Sequence, residues 1–170
     1  IMFNNAGIGG AVGPLEEISV EDWDKTQAVC LRGVFLGIKH SVGAMRARGG
    51  GAIVNTASIA GVWGYPMLHA YSAAKAGVVN LTRSAALEFA VDGIRVNCIE
   101  PGPMYTPMVY ATGMSDDVRQ RRRKAALLDV EGTGWDIGYA SLILASDEAR
   151  YITRIVLPPD GCVLLTARGA

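Results

Sequence analysis

A tyrosine and a lysine four residues apart, Tyr71 and Lys75, are the residues of this sequence best suited to move a proton. On a helix, side chains at positions i and i+4 lie next to each other on one face. A free phenol has a pKa of about 10, and a neighbouring ammonium group is expected to lower that pKa by favouring the phenolate. The pair is therefore expected to serve as a general acid and base near neutral pH.

The elements around this pair are predicted to bring further polar groups to it. Ser58 closes a β-rich run, residues 53–58, and ligands of open α/β sheets bind beyond the carboxyl ends of such strands. Two more turns follow predicted strands, one beginning at Asn5 and the other at Pro101. A Tyr-x-x-x-Lys pair alone is common on solvated helices, so the order of these motifs along the chain decides its interpretation.

These motifs, in this order, resemble the short-chain dehydrogenase/reductase family, and the resemblance runs from Asn4 to about Gly161. It implies an NAD(P)-dependent oxidoreductase that interconverts a secondary alcohol and a ketone by hydride transfer. Tyr71 would be the acid-base, and Ser58 would hydrogen-bond the reacting oxygen. Lys75 would lower the pKa of the tyrosine and bind the nicotinamide ribose.

The resemblance also implies which residues contact the cofactor, NAD or NADP. Those expected on its adenosine-ribose side are Asn5, Ala6 and Gly7. Those expected beside the nicotinamide are Pro101, Gly102 and Met104, with Thr106 on its carboxamide and Tyr71 and Lys75 completing the set. Taken singly, each of these is also an ordinary turn, cap or packing residue.

Three positions depart from the family pattern. Cys30 stands where the family usually has an asparagine that supports a water relay from the lysine, and a thiol is a weaker hydrogen-bonding group. Thr153-Arg154 replaces a frequent Thr-Gly, and a single glycine, Gly161, follows Asp160 where two are common. The first departure puts the relay in question and the others concern the usual subunit contact.

Composition narrows the class of protein further. Half of the 170 residues are hydrophobic, and 16 basic side chains balance 16 acidic ones, which is typical of one soluble domain with no affinity for nucleic acid or membranes. Cys30, Cys98 and Cys162 are far apart and are expected to be free thiols in a reducing, cytoplasmic compartment. The two histidines lack ligand partners at metal-binding spacing, so no metal site is predicted.

Strands and helices are predicted to alternate along the chain, which indicates an α/β fold with a doubly wound, Rossmann-like parallel sheet. The predicted strands are residues 1–4, 52–57, 94–99 and 152–157, and the predicted helices are residues 20–47, 70–91 and 135–146. The segment 104–134 is rich in methionine and tyrosine and is expected to form an adaptable pocket wall. Its basic run, residues 119–124, is interpreted as a solvated helix face.

No glycine-rich turn of the kind that binds a pyrophosphate precedes Asn4. Residues 1–170 are therefore interpreted as a single domain, the C-terminal two-thirds of an oxidoreductase domain that lacks its N-terminal strands and that turn. We expect residues 1–4 at an open sheet edge, and we expect the chain alone to associate and to be inactive. The full-length parent is expected to be a homo-oligomer, a dimer or tetramer, acting on a small-molecule alcohol or ketone.

Two other readings stay open. A non-catalytic fragment or family member that retains the fold for subunit association is favoured by Cys30 and by the absent glycine-rich turn. A nucleotide-sugar epimerase of the related extended group would need a larger C-terminal substrate domain than this sequence has room for.

Overall fold

Four parallel strands form the sheet at the centre of the molecule. The computed structural model describes residues 1–165, and within them the strands lie side by side in their order along the chain. They are β1 (Met2–Asn4), β2 (Gly51–Thr56), β3 (Ile94–Ile99) and β4 (Val156–Leu157). Parallel pairing with helical crossovers confirms the predicted Rossmann-like α/β fold.

Helices cover the sheet and connect its strands. Within residues 1–165 they are α1 (Val20–Gln27), α2 (Gly33–Ala47), α3 (His69–Phe89), α4 (Pro107–Tyr110), α5 (Asp116–Lys124) and α6 (Gly134–Ala145). A π-helical turn, Ala28–Arg32, joins the first two without a break, so that the predicted helix of residues 20–47 is one continuous rod. Such single π turns within α-helices are frequent at functional sites.

Apolar side chains cover both faces of the sheet. The first cluster, between the sheet and the helices α2 and α3, includes Val34, Ile38, Val42, Ile53, Val78 and Val96. The second, against α6, includes Val54, Ile99, Met104, Ile137 and Leu144. Strands β2 and β3 are packed on both faces and pair with each other over their whole length. The positions at which the chain leaves these strands are therefore rigidly held.

Small side chains let α3 lie close to its neighbours, as the sequence predicted. Ala70 and Ala74 are fully buried. At Gly77, a Cβ atom would stand 2.9 Å from a methyl group of Leu31, so only glycine fits without a shift. The helix that carries the tyrosine and the lysine is therefore tightly seated on the π turn and on the sheet.

β1 lies at the edge of the sheet, and within the described residues it pairs with β2 alone. Ile1 and Phe3 are 83% and 43% exposed. The edge is therefore open and partly apolar, as expected from the sequence, and open strand edges are places where another strand can pair.

The last strand is shorter than predicted, two residues instead of six. Arg154 has a φ of 67°, a left-handed conformation that interrupts an extended strand. The chain still follows β3, because Arg154 donates its N–H to the carbonyl of Val96 at 2.8 Å and Ile155 donates to Asn97 Oδ1 at 3.1 Å. The side chain of Asn97 thus takes the place of one backbone acceptor in the pairing of the two segments.

One expectation about membranes needs correction. The helical segment Val20–Ala47 is long and apolar enough, by length and composition, to cross a bilayer, although the overall composition is typical of a domain with no affinity for membranes. Core helices of globular proteins pass the same test. Here Val34, Ile38, Val42 and Met45 of this segment are buried in the first core cluster, against the sheet.

Candidate active site

A cavity of about 760 Å³ opens at the carboxyl ends of the strands, where ligands bind in folds of this kind. Every residue predicted for the site lines it: Asn5, Ala6, Gly7, Ser58, Tyr71, Lys75, Pro101, Gly102, Met104 and Thr106. These residues follow three different strands and also come from α3, and the parallel order brings them to one edge. The cavity is otherwise mostly apolar, with Ile59, Leu68 and Ile137 in its wall.

Lys75 is held in place by the strand beneath it. Its side chain is 3% exposed, and Nζ donates a hydrogen bond to the carbonyl oxygen of Thr56 at 2.8 Å. The same ammonium group lies 5.5 Å from the centre of the Tyr71 ring. An ammonium has three N–H donors, so this anchoring leaves donors for a ligand.

The predicted lowering of the tyrosine pKa is wrong for this structure. Burial raises the pKa of Tyr71, which outweighs the lowering by the hydrogen bond with Ser58. Burial also lowers the pKa of Lys75, because a charged ammonium is poorly solvated there. The phenol is therefore protonated at neutral pH and is ready to donate a proton.

Ser58 has its rotamer fixed by the turn that follows it. It is the N-cap of a short 3₁₀ turn, Ile59–Gly61, and its Oγ accepts a hydrogen bond from the N–H of Ala60 at 3.2 Å. An accepting hydroxyl oxygen still has its own O–H to donate. The hydroxyl can thus donate toward the cavity.

Gly61 allows this turn to touch α3, a contact that the sequence reasoning missed. A Cβ atom at this position would lie 2.8 Å from the backbone nitrogen of Ala76 and 2.8 Å from the carbonyl carbon of Lys75. Backbone atoms of a packed helix cannot move aside easily, so the glycine sets the spacing between Ser58 and the Tyr71 helix.

A chain of side-chain hydrogen bonds orders the end of β1. Asn4 Nδ2 donates to Asn55 Oδ1 at 2.8 Å, and Asn55 Nδ2 donates to Thr82 Oγ1 at 2.9 Å. Next to it, Thr56 Oγ1 donates to Asn5 Oδ1 at 3.1 Å. The turn that starts at Asn5 is therefore tied to β2 and, through it, to α3.

Cys30 is fully buried in the π turn and has polar partners. Its Sγ accepts a hydrogen bond from the N–H of Ile8 at 3.5 Å and donates to the carbonyl of Ile8 at 3.3 Å. The thiol thus fastens the glycine-rich segment after β1 to the helix. Whether it also carries the water relay stays a prediction.

Replacing Cys30 with asparagine is expected to raise kcat of the full-length protein or leave it unchanged, with a melting temperature close to that of the wild type. An amide offers one donor and one acceptor group, which match the two backbone groups of Ile8. The matched control is Cys98→Asn, at a fully buried cysteine of β3 that belongs to the first apolar core cluster.

The control is expected to lose about 1–3 kcal/mol of stability, because the larger amide would be forced into the packed apolar core around Cys98. Enzyme kinetics and thermal melts distinguish the two variants. The interpretation to be tested is that asparagine at position 30 restores the water relay from Lys75. A loss of both activity and melting temperature in Cys30→Asn, as large as in the control, would contradict it.

The segment after β3 contains α4 and α5, and the basic run of residues 119–124 is helical, as predicted, because it lies in α5. The rings of Tyr105 and Tyr110 lie 4.7 Å apart, and the guanidinium of Arg119 stacks 4.0 Å above Tyr105. Thr106 is the N-cap of α4, but its side chain makes no capping hydrogen bond. Met108 lies over the turn after β1, with its Cε 3.8 Å from the position that a Cβ atom would have at Gly7.

Glu100, which directly precedes the Pro-Gly turn, is a buried carboxyl group outside the cavity lining. It is 3% exposed, and its Oε1 has no hydrogen-bond partner among the described residues. Burial raises the pKa of Glu100; Arg83 opposes this rise and Asp160 adds to it. Ionising this group therefore costs more in the folded protein than in the unfolded chain.

The variant Glu100→Gln is expected to raise the melting temperature at about pH 8 and to leave it unchanged near pH 4. A carboxyl group whose pKa is raised by folding loses stability as the pH climbs from its ordinary value of about 4.3 through its raised one. Thermal melts across this range test the prediction, with Glu88→Gln, at an exposed position of α3, as the control. Equal shifts at both pH values would argue against it.

A tyrosine and a lysine on one helix, a serine after the preceding strand and a Pro-Gly turn after the next one surround a single cavity. On this fold, that arrangement defines the short-chain dehydrogenases/reductases, and the chain belongs to that family. Residues 1–163 match the family model described as enoyl-(acyl carrier protein) reductase.

Three relatives show how close the similarity is. Levodione reductase from Leifsonia aquatica is 41% identical over 165 residues, covering 94% of this chain and 62% of that protein. A crystal structure of levodione reductase superposes with a TM-score of 0.88 at 37% identity, covering 97% of this chain and 66% of that one. Cis-4-hydroxycyclohexanecarboxylate dehydrogenase from Sinomonas cyclohexanicum is 41% identical over 161 residues, covering 95% of this chain and 64% of that enzyme. The structure of ElxO with NADP bound gives a TM-score of 0.89 at 31% identity, covering 96% of this chain and 66% of that one. The chain thus spans less than two-thirds of the length of these proteins.

Proposed function

We propose that this chain carries the catalytic residues of an NAD(P)-dependent oxidoreductase that interconverts a secondary alcohol and a ketone. The observation that carries the proposal is the convergence of Ser58, Tyr71 and Lys75 on one cavity. The names of the relatives, a reductase and an alcohol dehydrogenase, support this reaction class.

The roles of the three residues follow from their surroundings. Ser58 donates its O–H to the substrate oxygen, since its Oγ already accepts from Ala60. Tyr71 donates its proton to the same oxygen during ketone reduction, because burial keeps the phenol protonated at neutral pH. Alcohol oxidation needs the phenolate instead, so its rate is expected to rise with pH.

The cavity fits a nicotinamide nucleotide, which when bound supplies or accepts the hydride. Lys75 has donors left for a ribose hydroxyl after its bond to Thr56. Thr106 has a hydroxyl that is not used as a helix cap, so it is free to bond the carboxamide. Gly7 lies beside the ammonium group of Lys75, since a Cβ atom at Gly7 would be 3.7 Å from Lys75 Nζ. The missing side chain allows a ligand to approach closely. The NADP-bound relative supports NAD or NADP as the cofactor.

We also propose that the chain is one domain, the C-terminal part of a longer cytoplasmic enzyme that works as a homo-oligomer. The 62% coverage of levodione reductase supports the longer parent. An apolar stripe on α6, with Trp135 76% and Leu142 66% exposed, supports association with a second subunit. The buried free thiols Cys30 and Cys98 suit a reducing compartment.

The proposal is tested by comparing the 170-residue chain with a protein extended by the coding sequence upstream of Ile1. The extended protein is expected to oxidise cyclohexanol or cis-4-hydroxycyclohexanecarboxylate with NAD or NADP. The chain alone is expected to associate, to show no turnover and to bind either cofactor much more weakly. Absorbance of the reduced cofactor, titration calorimetry and light scattering measure these properties. An extended protein that neither binds nor reduces a nicotinamide nucleotide would overturn the proposal.

A further inference from the structure

Arg122 is a charged residue of the cavity to which the proposed reaction gives no role. It lies on α5, and its side chain lines the same cavity as Ser58 and Tyr71. Its Nη2 donates one long hydrogen bond, 3.4 Å, to the carbonyl oxygen of Met104. A guanidinium has five N–H donors. Within residues 1–165, the guanidinium of Arg122 makes no other hydrogen bond and no ion pair.

Two other arginines of the basic run, Arg119 and Arg123, differ from Arg122 because they are paired with acidic side chains, and Arg121 differs because it is exposed. Arg119 binds Glu131 through two hydrogen bonds, with Nε 2.7 Å from Oε1. Arg123 lies 3.4 Å from a carboxylate oxygen of Asp129. No acidic side chain of the described chain pairs with Arg122. The prediction of a solvated basic face is therefore wrong for this residue, which is half-buried and turned inward.

The cavity as a whole carries positive charge. Among the described residues, its lining contains Lys75 and Arg122 but no aspartate or glutamate. Lys75 is bonded to Thr56 and reserved for the cofactor ribose in the proposed reaction. Burial lowers the pKa of Arg122, with no acid nearby to oppose it, which is the cost of holding an unpaired charge there. A bound anion would offset that cost.

The position of Arg122 places it on the substrate side. Just after α5, Ala126 packs in one cluster with Ile59 and Tyr65, which belong to the turn and loop after Ser58. The cofactor turn at Gly7 lies instead under Met108 of α4. Arg122 lies one helical turn before Ala126 and bonds the carbonyl of Met104, which is expected beside the nicotinamide, so it lies between the Ser58 turn and the nicotinamide site, where a substrate would bind.

From this geometry we infer that the substrate carries an anionic group, a carboxylate in the simplest case, and that Arg122 binds it while Ser58 and Tyr71 hold the reacting oxygen. The inference rests on the proposed function and names its substrate class. A planar guanidinium can bind a carboxylate through two parallel hydrogen bonds, which fixes orientation as well as affinity. Arg122 is thus a specificity-determining residue.

The test uses two alcohols of the same shape, cis-4-hydroxycyclohexanecarboxylate and its neutral amide, with the upstream-extended protein. The ratio of kcat/KM for the acid to that for the amide is expected to fall about tenfold to a hundredfold in Arg122→Gln. Arg122→Lys keeps the charge and is expected to recover part of the ratio. Arg121→Gln, at an exposed position of the same helix, is the matched control and is expected to leave the ratio unchanged.

The outcomes separate this inference from the proposed function. An unchanged ratio in Arg122→Gln, or a rise in the KM of the cofactor instead, overturns the anion inference. Loss of amide turnover in Tyr71→Phe would still support the proposed function in that case. If neither alcohol is turned over, titration calorimetry with the cofactor-bound protein decides. Acid binding that exceeds amide binding and disappears in Arg122→Gln supports the inference, and equal or absent binding of the two contradicts it.

Discussion

Replacing Tyr71 with phenylalanine is expected to lower kcat of the full-length protein by about a hundredfold to ten-thousandfold, the usual range for losing general acid-base catalysis. The ring packing is retained because only the hydroxyl is removed. The affinity for the nicotinamide cofactor is therefore expected to stay close to that of the wild type. Steady-state kinetics and titration calorimetry measure the two quantities separately.

Tyr151→Phe is the matched control for this variant, because the residue is 97% exposed and lies outside the cavity lining. It is expected to keep full activity. If Tyr71→Phe retained more than about half of the wild-type kcat, the assignment of the acid-base group would be wrong, since a general-acid role predicts a far larger loss. A non-catalytic protein that uses the fold only for association would show no turnover, whether position 71 is tyrosine or phenylalanine.

The second large effect is expected at Gly61, where an alanine should reduce kcat/KM by about a hundredfold. The added methyl group would stand 2.8 Å from backbone atoms of Lys75 and Ala76. It would push the turn, and with it Ser58, away from the tyrosine helix. A displacement of about 1 Å in a catalytic group can cost this much.

Gly64→Ala is a close control because a Cβ atom there would meet nothing within 4 Å. It is expected to behave like the wild type. Melting temperatures of both variants show whether Gly61→Ala is still folded, and cofactor titrations show whether the turn at Asn5 still binds. An activity of Gly61→Ala within about threefold of the wild type would mean that the spacing between the turn and the helix is not what aligns the serine.

Much of the scaffold follows from local sequence patterns. The strand Ile94–Ile99 has the predicted bounds, because a short run rich in Ile and Val between Gly93 and Pro101 leaves little choice. The site residues follow from the motifs that resemble those of the short-chain dehydrogenases/reductases, and the parallel strand order brings them to one cavity. Both depend on patterns of a few neighbouring residues.

What could not be predicted depends on contacts between distant segments. The direction of the Tyr71 pKa shift is set by burial, which a Tyr-x-x-x-Lys spacing does not reveal. The inward orientation of Arg122 is hidden in a run of similar residues: Arg119 and Arg123 have acidic partners, Arg121 is exposed, and Arg122 alone of these four lines the cavity. The contact of Gly61 with α3 joins a turn to a helix and leaves no periodic signal in the sequence.

The π turn at Ala28–Arg32 makes the long helix unequally tolerant of changes in length. A π turn holds one more residue than an α turn, so losing one residue here would restore a regular helix. Because the extra residue is absorbed within the turn, α1 and α2 would keep their present faces, and the contacts at risk would be the hydrogen bonds between Cys30 and Ile8. A deletion elsewhere in the helix would instead rotate α1 relative to α2 by about 100°, the rotation of one α-helical residue. Homologous sequences should therefore change the length of this helix at the π turn and not at other positions.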